Sequence, residues 1–202
     1  GHTLKSADLA VHLLPAMLGQ GGTKRYFVGF QNDAEARGTG GLPGAFAIVK
    51  AEHGKLTCTH FESDSTLNGV SVDPNFGPDF EQLYGGAKST SYYGNSNISP
   101  HFPYAAQIWV AMWQKYGGEH LDGAIAVDPS ALSYLLAVTG PATLPDKTQV
   151  GASNVVALTQ STVYAKFAKD DLARKAYLLQ IARSVSHRIL DSHADTTALV
   201  RA

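Results

Sequence analysis

The apolar positions of this chain fall into two spacings. Leu4, Ala7, Val11, Leu14 and Leu18 share one face at helical spacing, which predicts a helix over 4–18 that the glycine-rich stretch 19–22 stops. Residues 25–30, 45–50 and 55–61 are short apolar runs of strand type, and Glu52-His53-Gly54 predicts a hairpin turn between the last two. Residues 103–116 predict a helix with Pro103 in its first turn and a bulky stripe of Ile108, Trp109, Met112, Trp113 and Tyr116. Such a stripe reads as core.

The second half continues in the same way. Residues 121–127 read as a short buried strand. Asp128-Pro129 marks a helix start, with the carboxylate as cap and proline in the first turn. Leu132, Leu135, Leu136 and Val138 line that helix, and Gly140-Pro141 ends it. Ser153 is placed to cap a helix to about residue 167, and Asp170 or Asp171 to cap the last one. There Leu178, Ile181, Ala182, Val185 and Ile189 form an apolar stripe. Strands mixed with helices predict a sheet covered by helices. The expected architecture is a single α/β domain over 1–202, three-layer α/β/α with a mixed sheet. Within it 62–100 reads as a long loop and 191–202 as a polar tail.

Two segments break the periodicity. In the first, Gln31-Asn32-Asp33-Ala34-Glu35-Ala36-Arg37-Gly38-Thr39-Gly40-Gly41 separates two strand-like runs. A polar, glycine-rich turn at a strand end is where α/β proteins place binding groups, and a solvated connection is the plain alternative. The second, 62–100, is rich in Gly, Ser, Asn, Pro and Asp with Tyr84, Tyr92 and Tyr93 interspersed. It reads as a ligand-facing cover or as disorder.

Composition narrows the classes. Of 202 residues 44% are hydrophobic, enough for one full core, and the net charge of -1 offers no basic excess for nucleic acid. No run is apolar and long enough to span a bilayer. Gly1-His2 reads as a cleaved-tag remnant, and membrane proximity is expected through a segment outside this sequence. The single cysteine, Cys58, allows no intrachain disulfide and reads as a small buried hydrophobe. The histidines, including His53, His60, His120 and His187, lack metal-ligand spacing. No Gly-x-Ser-x-Gly elbow and no Gly-Lys-Ser/Thr phosphate loop occurs.

Candidate chemistry lies with the charged groups. Arg37 and Arg174 are suited to grip a phosphate through bidentate bonds, or else each makes an internal salt bridge, Arg37 with Glu35 or Asp64. Asp33, Glu35 and Asp64 offer hard oxygens for a divalent cation, or one serves as general base, or they are solvated or capping. Asp73, Asp79 and His101 lie in or beside the long loop and are placed to line an opening. Two carboxylates roughly 5–10 Å apart across a cleft would instead fit a glycoside hydrolase.

The turn at 31–41 closely resembles the signature of the bacterial family called domain of unknown function 4012. So do Asn97-Ile98-Ser99-Pro100-His101-Phe102-Pro103 and Leu121-Asp122-Gly123-Ala124-Ile125-Ala126-Val127-Asp128-Pro129. Gly140-Pro141 and Asn154-Val155-Val156 also fit, and the resemblance runs from about residue 25 to 190. The order of elements is in turn similar to the LytR–CpsA–Psr transferases. Those extracytoplasmic enzymes move glycopolymers from polyprenyl-pyrophosphate carriers to the cell wall.

That second resemblance implies an extracytoplasmic, envelope-associated domain that takes a polyprenyl-linked (pyro)phosphate or glycan phosphate and attaches glycopolymer as a phosphotransferase. The alternative is a non-catalytic module binding cell-wall polysaccharide or a protein. It implies Mg2+ on Asp33 and Glu35, catalysis by Arg37, Asp33, Glu35 and Asp64, and phosphate binding by Arg37, Arg174, Asn32 and Lys175. The chain departs from the transferase pattern at several points. Arg37-Gly38-Thr39 replaces Arg-Ser-Asp, Ser63-Asp64 replaces Arg-Asp, Lys175 replaces a glutamine, and Asn32 stands at the likely first aspartate. Against the first family, His101 stands where an aspartate is usual.

Overall fold

A computed structural model describes residues 12–192. The fold is mixed α/β around a four-stranded mixed sheet. Strands β1 (Lys24–Arg37), β2 (Gly40–Glu52) and β3 (Lys55–Ser63) form an antiparallel meander. Strand β4 (Gly123–Val127) joins β1 in parallel, giving the order β3-β2-β1-β4. Around the sheet lie α1 (12–17), α2 (Pro78–Tyr84), α3 (Phe102–Gly117), α4 (Pro129–Thr139), α5 (Val155–Ala157), α6 (Val163–Lys166) and α7 (Asp171–Leu190). The predicted helix 4–18 is seen from residue 12; its start and the tail from 193 lie outside the described residues. A short ribbon, β5 (Ala142–Thr143) with β6 (Gln149–Val150), follows α4.

Strand alternation sorts the core into two halves. Phe27 and Phe46 stack at 4.8 Å on one face and meet Trp109, Met112 and Trp113 of α3. Gly29 leaves room there, since a Cβ would press into the Trp109 ring. Phe30 and Val127 point the other way, to Leu132 and Leu136 of α4, Val155, Val163, and Ile181 and Val185 of α7. The helical stripes read from the sequence therefore fill the core. Their outer members emerge: Tyr116 and Val138 are exposed, and Cys58 is only half-buried.

The caps at Asp128 and Asp170 form as expected, with Ala131 N–H donating to Asp128 at 2.7 Å and Ala173 N–H to Asp170 at 2.9 Å. Ser153 does not cap. Asn154 precedes α5 and instead accepts from Gly151 N–H. The predicted helix 153–167 is interrupted by a π turn, Leu158–Thr162, between α5 and α6.

Two expectations are corrected. The polar stretch 31–41 is not a loop: β1 and β2 run on through it and turn only at Gly38-Thr39. Its polarity comes from lying past the covered part of the sheet. Register breaks between Phe30 and Gln31 and again between Asn32 and Ala36, so Asp33, Ala34 and Glu35 bulge from the ladder. The second concerns 62–100, which is ordered. It holds α2 and three short 3-10 turns, and it buries Leu67, Phe80 and Tyr93 in the α3 half of the core.

This ordering explains the glycines. The loop lies against the hairpin tip. Thr39 N–H donates to the Asn97 carbonyl, and Asn97 Nδ2 donates to Thr39 Oγ1 and to the Gly41 carbonyl. A Cβ on Gly38 would strike the Ile98 carbonyl, and one on Gly41 the Asn32 backbone. Close backbone packing demands both glycines.

Gly38→Ala is expected to lower stability by roughly 1–3 kcal/mol, because backbone rather than a flexible side chain must move. Asp128→Ala is expected to cost about 1 kcal/mol, from the lost cap. Urea unfolding at equilibrium measures both; an unchanged midpoint for Gly38→Ala would disprove the packing role.

Candidate functional site

The site forms where β1 and β4 end side by side. Phe30 pairs with Val127, and β4 passes directly into Asp128 and the start of α4. Ligands of α/β sheets gather outside the carboxyl ends of parallel strands for this reason. A cavity of about 90 Å³ opens there, walled by Phe30, Asn32, Glu35 and Asp64 from the sheet and by Thr159, Tyr164, Arg174, Lys175 and Leu178 from the helices. Five of the residues read from the sequence thus converge: Asn32, Glu35, Asp64, Arg174 and Lys175. Asp33 and Arg37 are not among the lining residues.

Each charged group has a partner. Lys175 Nζ lies 3.2 Å from Asp64 Oδ2. Asp64 opens the 3-10 turn after β3 and is buried, its side chain 9% exposed. Its charge, after burial itself, contributes to holding the Tyr93 phenol well above the usual tyrosine range. Arg174 pairs with Asp171 one turn earlier on α7 at 2.8 Å and lies 4.9 Å over the Tyr164 ring.

The bulge is clasped to the π turn and the helix after it. Asn32 Nδ2 donates to the Thr159 carbonyl at 3.1 Å, Gln160 Nε2 donates to Asp33, and Tyr164 Oη donates to Glu35 at 3.0 Å. Desolvation, with Glu35 beside it, pushes the Tyr164 hydroxyl up to about 12, so it stays protonated and donating at any physiological pH. Thr159, Gln160 and Tyr164 were invisible as site residues, because nothing near them in sequence marks partners more than a hundred positions away.

Arg37 takes another course from the expected one. Its guanidinium donates to the carbonyls of Gly94 and Ala36 at 3.2 and 2.9 Å, so it braces the ordered loop. It neither lines the cavity beside Arg174 nor pairs with Glu35 or Asp64. The loop is also not the cavity's cover, since no residue between 65 and 126 lines it. His101 packs edge-on against Tyr104 at 4.8 Å, and Asp73, Asp79 and His101 line neither of the cavities described here.

A second cavity of about 300 Å³ lies on the same face of the sheet, between it and helices α1, α4 and α7. Its lining is almost wholly apolar, including Leu14, Val28, Val49, Leu135 and Ile189. Phe30, Val127 and Leu132 line both cavities, forming a common wall. Tyr26 Oη donates to the Met17 carbonyl and ties α1 over this second space.

The carboxylates do not fit a metal. Asp33, Glu35 and Asp64 face three different partners, and among the described residues no three His, Cys, Asp or Glu side chains gather as a metal site. The arrangement instead presents two cations and several hydrogen-bonding groups at the rim of an apolar space. Among the described residues, no helix is long and apolar enough to cross a membrane.

No curated protein and no solved structure matches this chain. A family model does, over residues 21–164, which spans β1 through the start of α6 and so takes in the hairpin, the bulge and the clasp that faces it. On that match the chain belongs to the family described as "Protein of unknown function (DUF4012)".

Proposed function

We propose that this protein binds an amphipathic phosphate, a polyprenyl-linked (pyro)phosphate or glycan phosphate, at the cell envelope outside the cytoplasm. One observation carries the reading: a small cavity with Arg174 and Lys175 in its wall shares Phe30, Val127 and Leu132 with a larger apolar one. The anionic head sits on the two cations through charge-assisted bonds, with Asn32 beside them. The prenyl tail lies between the sheet and helices α1, α4 and α7, where each buried methylene contributes about 0.8 kcal/mol. The envelope setting and the link to LytR–CpsA–Psr transferases rest on the resemblance of motif order alone.

Binding without transfer is the form this site favours. Transfer needs a base free to take a proton from an acceptor hydroxyl. Glu35 already accepts from Tyr164, Asp64 is held by Lys175, and Asp33 accepts from Gln160. Arg37, spent on the Gly94 and Ala36 carbonyls, has no part in the site. The polysaccharide or protein ligand of the alternative reading would engage the exposed side chains Leu83 and Tyr92 of the long loop.

Calorimetry with geranyl phosphate and inorganic phosphate separates the two halves of the proposal. Geranyl phosphate is expected to bind at least about 100-fold more tightly, from burial of its tail. Arg174→Gln is expected to weaken it by about tenfold, one charge-assisted bond, while leaving unfolding unchanged because Asp171 is exposed. Equal affinity for the two phosphates would contradict the tail site. Phosphate release from geranyl pyrophosphate, with or without magnesium, would contradict the non-catalytic form.

A further inference from the structure

We infer that the head group taken by this cavity is zwitterionic: a phosphate followed closely by a primary ammonium, as in a lipid-borne phosphoethanolamine or amino-sugar phosphate. This rests on the binding reading above and narrows its substrate class. The charged groups lining the cavity are Arg174 and Lys175, Glu35 and Asp64, two cations against two anions. A head group of one sign does not match that set.

The asymmetry between the partners decides the matter. Arg174 can leave Asp171 at little cost, because Asp171 is 77% exposed and water replaces the guanidinium. Lys175 is 55% exposed and carries its ammonium on a flexible stem, so a phosphate can draw it inward. Asp64 has no such freedom. Its side chain is 9% exposed, and Lys175 is its ion-pair partner. A purely anionic ligand that recruits Lys175 leaves a buried carboxylate without a counter-ion, which is strongly unfavourable.

A ligand ammonium beside the phosphate removes that conflict. It pairs with Asp64 as Lys175 turns to the phosphate. It also gives a cation to Glu35, whose hydrogen-bond donor is the neutral Tyr164 hydroxyl at 3.0 Å. The exchange breaks no covalent bond and needs no metal.

The test compares three ligands on the full chain by calorimetry: geranyl phosphate, its aminoethyl ester, and that ester N-acetylated. The N-acetyl compound keeps the size and loses the positive charge. The amine is expected to bind about tenfold or more tightly than the N-acetyl compound, the worth of one charge-assisted pair. Asp64→Asn is expected to bring the two within about threefold, by removing that pair. Equal binding of amine and N-acetyl compound by the wild type overturns the inference while geranyl phosphate binding stands. So does magnesium raising geranyl phosphate to the level of the amine. Failure of all three to bind removes this inference and the binding reading together.

Discussion

The double break in the β1–β2 register is the constraint on which the rest depends. Up to Phe30 the two strands pair without interruption, and Phe27 and Phe46 stack into the α3 half of the core. Between Asn32 and Ala36 three residues leave the ladder. Their polar groups would be unpaired on a flat sheet. They meet Thr159, Gln160 and Tyr164 instead, and that clasp fixes the π turn and α6 over the strand ends. Without the bulge, the strand would present its side chains to alternate faces and the cavity would lose one wall.

The cavity's second determinant is electrostatic. Asp64 is buried at the end of β3, where the chain turns into the ordered loop. Its position calls for a cation, and Lys175 of α7 supplies it across 111 positions of sequence. The pair thus joins the meander to the last helix at the point where the two cavities meet. Arg174, the next residue back, stacks on Tyr164, which in turn holds Glu35. Strand bulge, α6 and α7 are therefore one connected polar system, set against an apolar space.

Local physics was legible in the sequence and long-range pairing was not. The caps at Asp128 and Asp170 could be read because a carboxylate before a helical run has one local use. The stripe around Trp109 and the one around Ile181 could be read from spacing alone. The continuation of β1 through 31–37 could not, because charges and glycines imitate a loop when their partners are unknown. Order in 62–100 was hidden likewise: Tyr93 and Phe80 sit among turn residues, and only the aromatic face of α3 gives them a place. For the site, Asn32, Glu35, Asp64, Arg174 and Lys175 were found, yet Arg37 was misplaced. An arginine beside glycines suggests an anion, but here it meets the carbonyls of Gly94 and Ala36. The π turn at 158–162 left no mark in the residue pattern.

The central claim is that one face of the sheet holds a charged pocket and an apolar one that together accept a lipid phosphate. Photo-crosslinking with a benzophenone-bearing prenyl phosphate, mapped by peptide mass spectrometry, tests it most directly. Label on peptides from α4 and α7 that carry Leu135 and Ile189, competed away by geranyl phosphate, is the predicted result. Label confined to the loop around Leu83 and Tyr92, or insensitive to the competitor, would contradict the account.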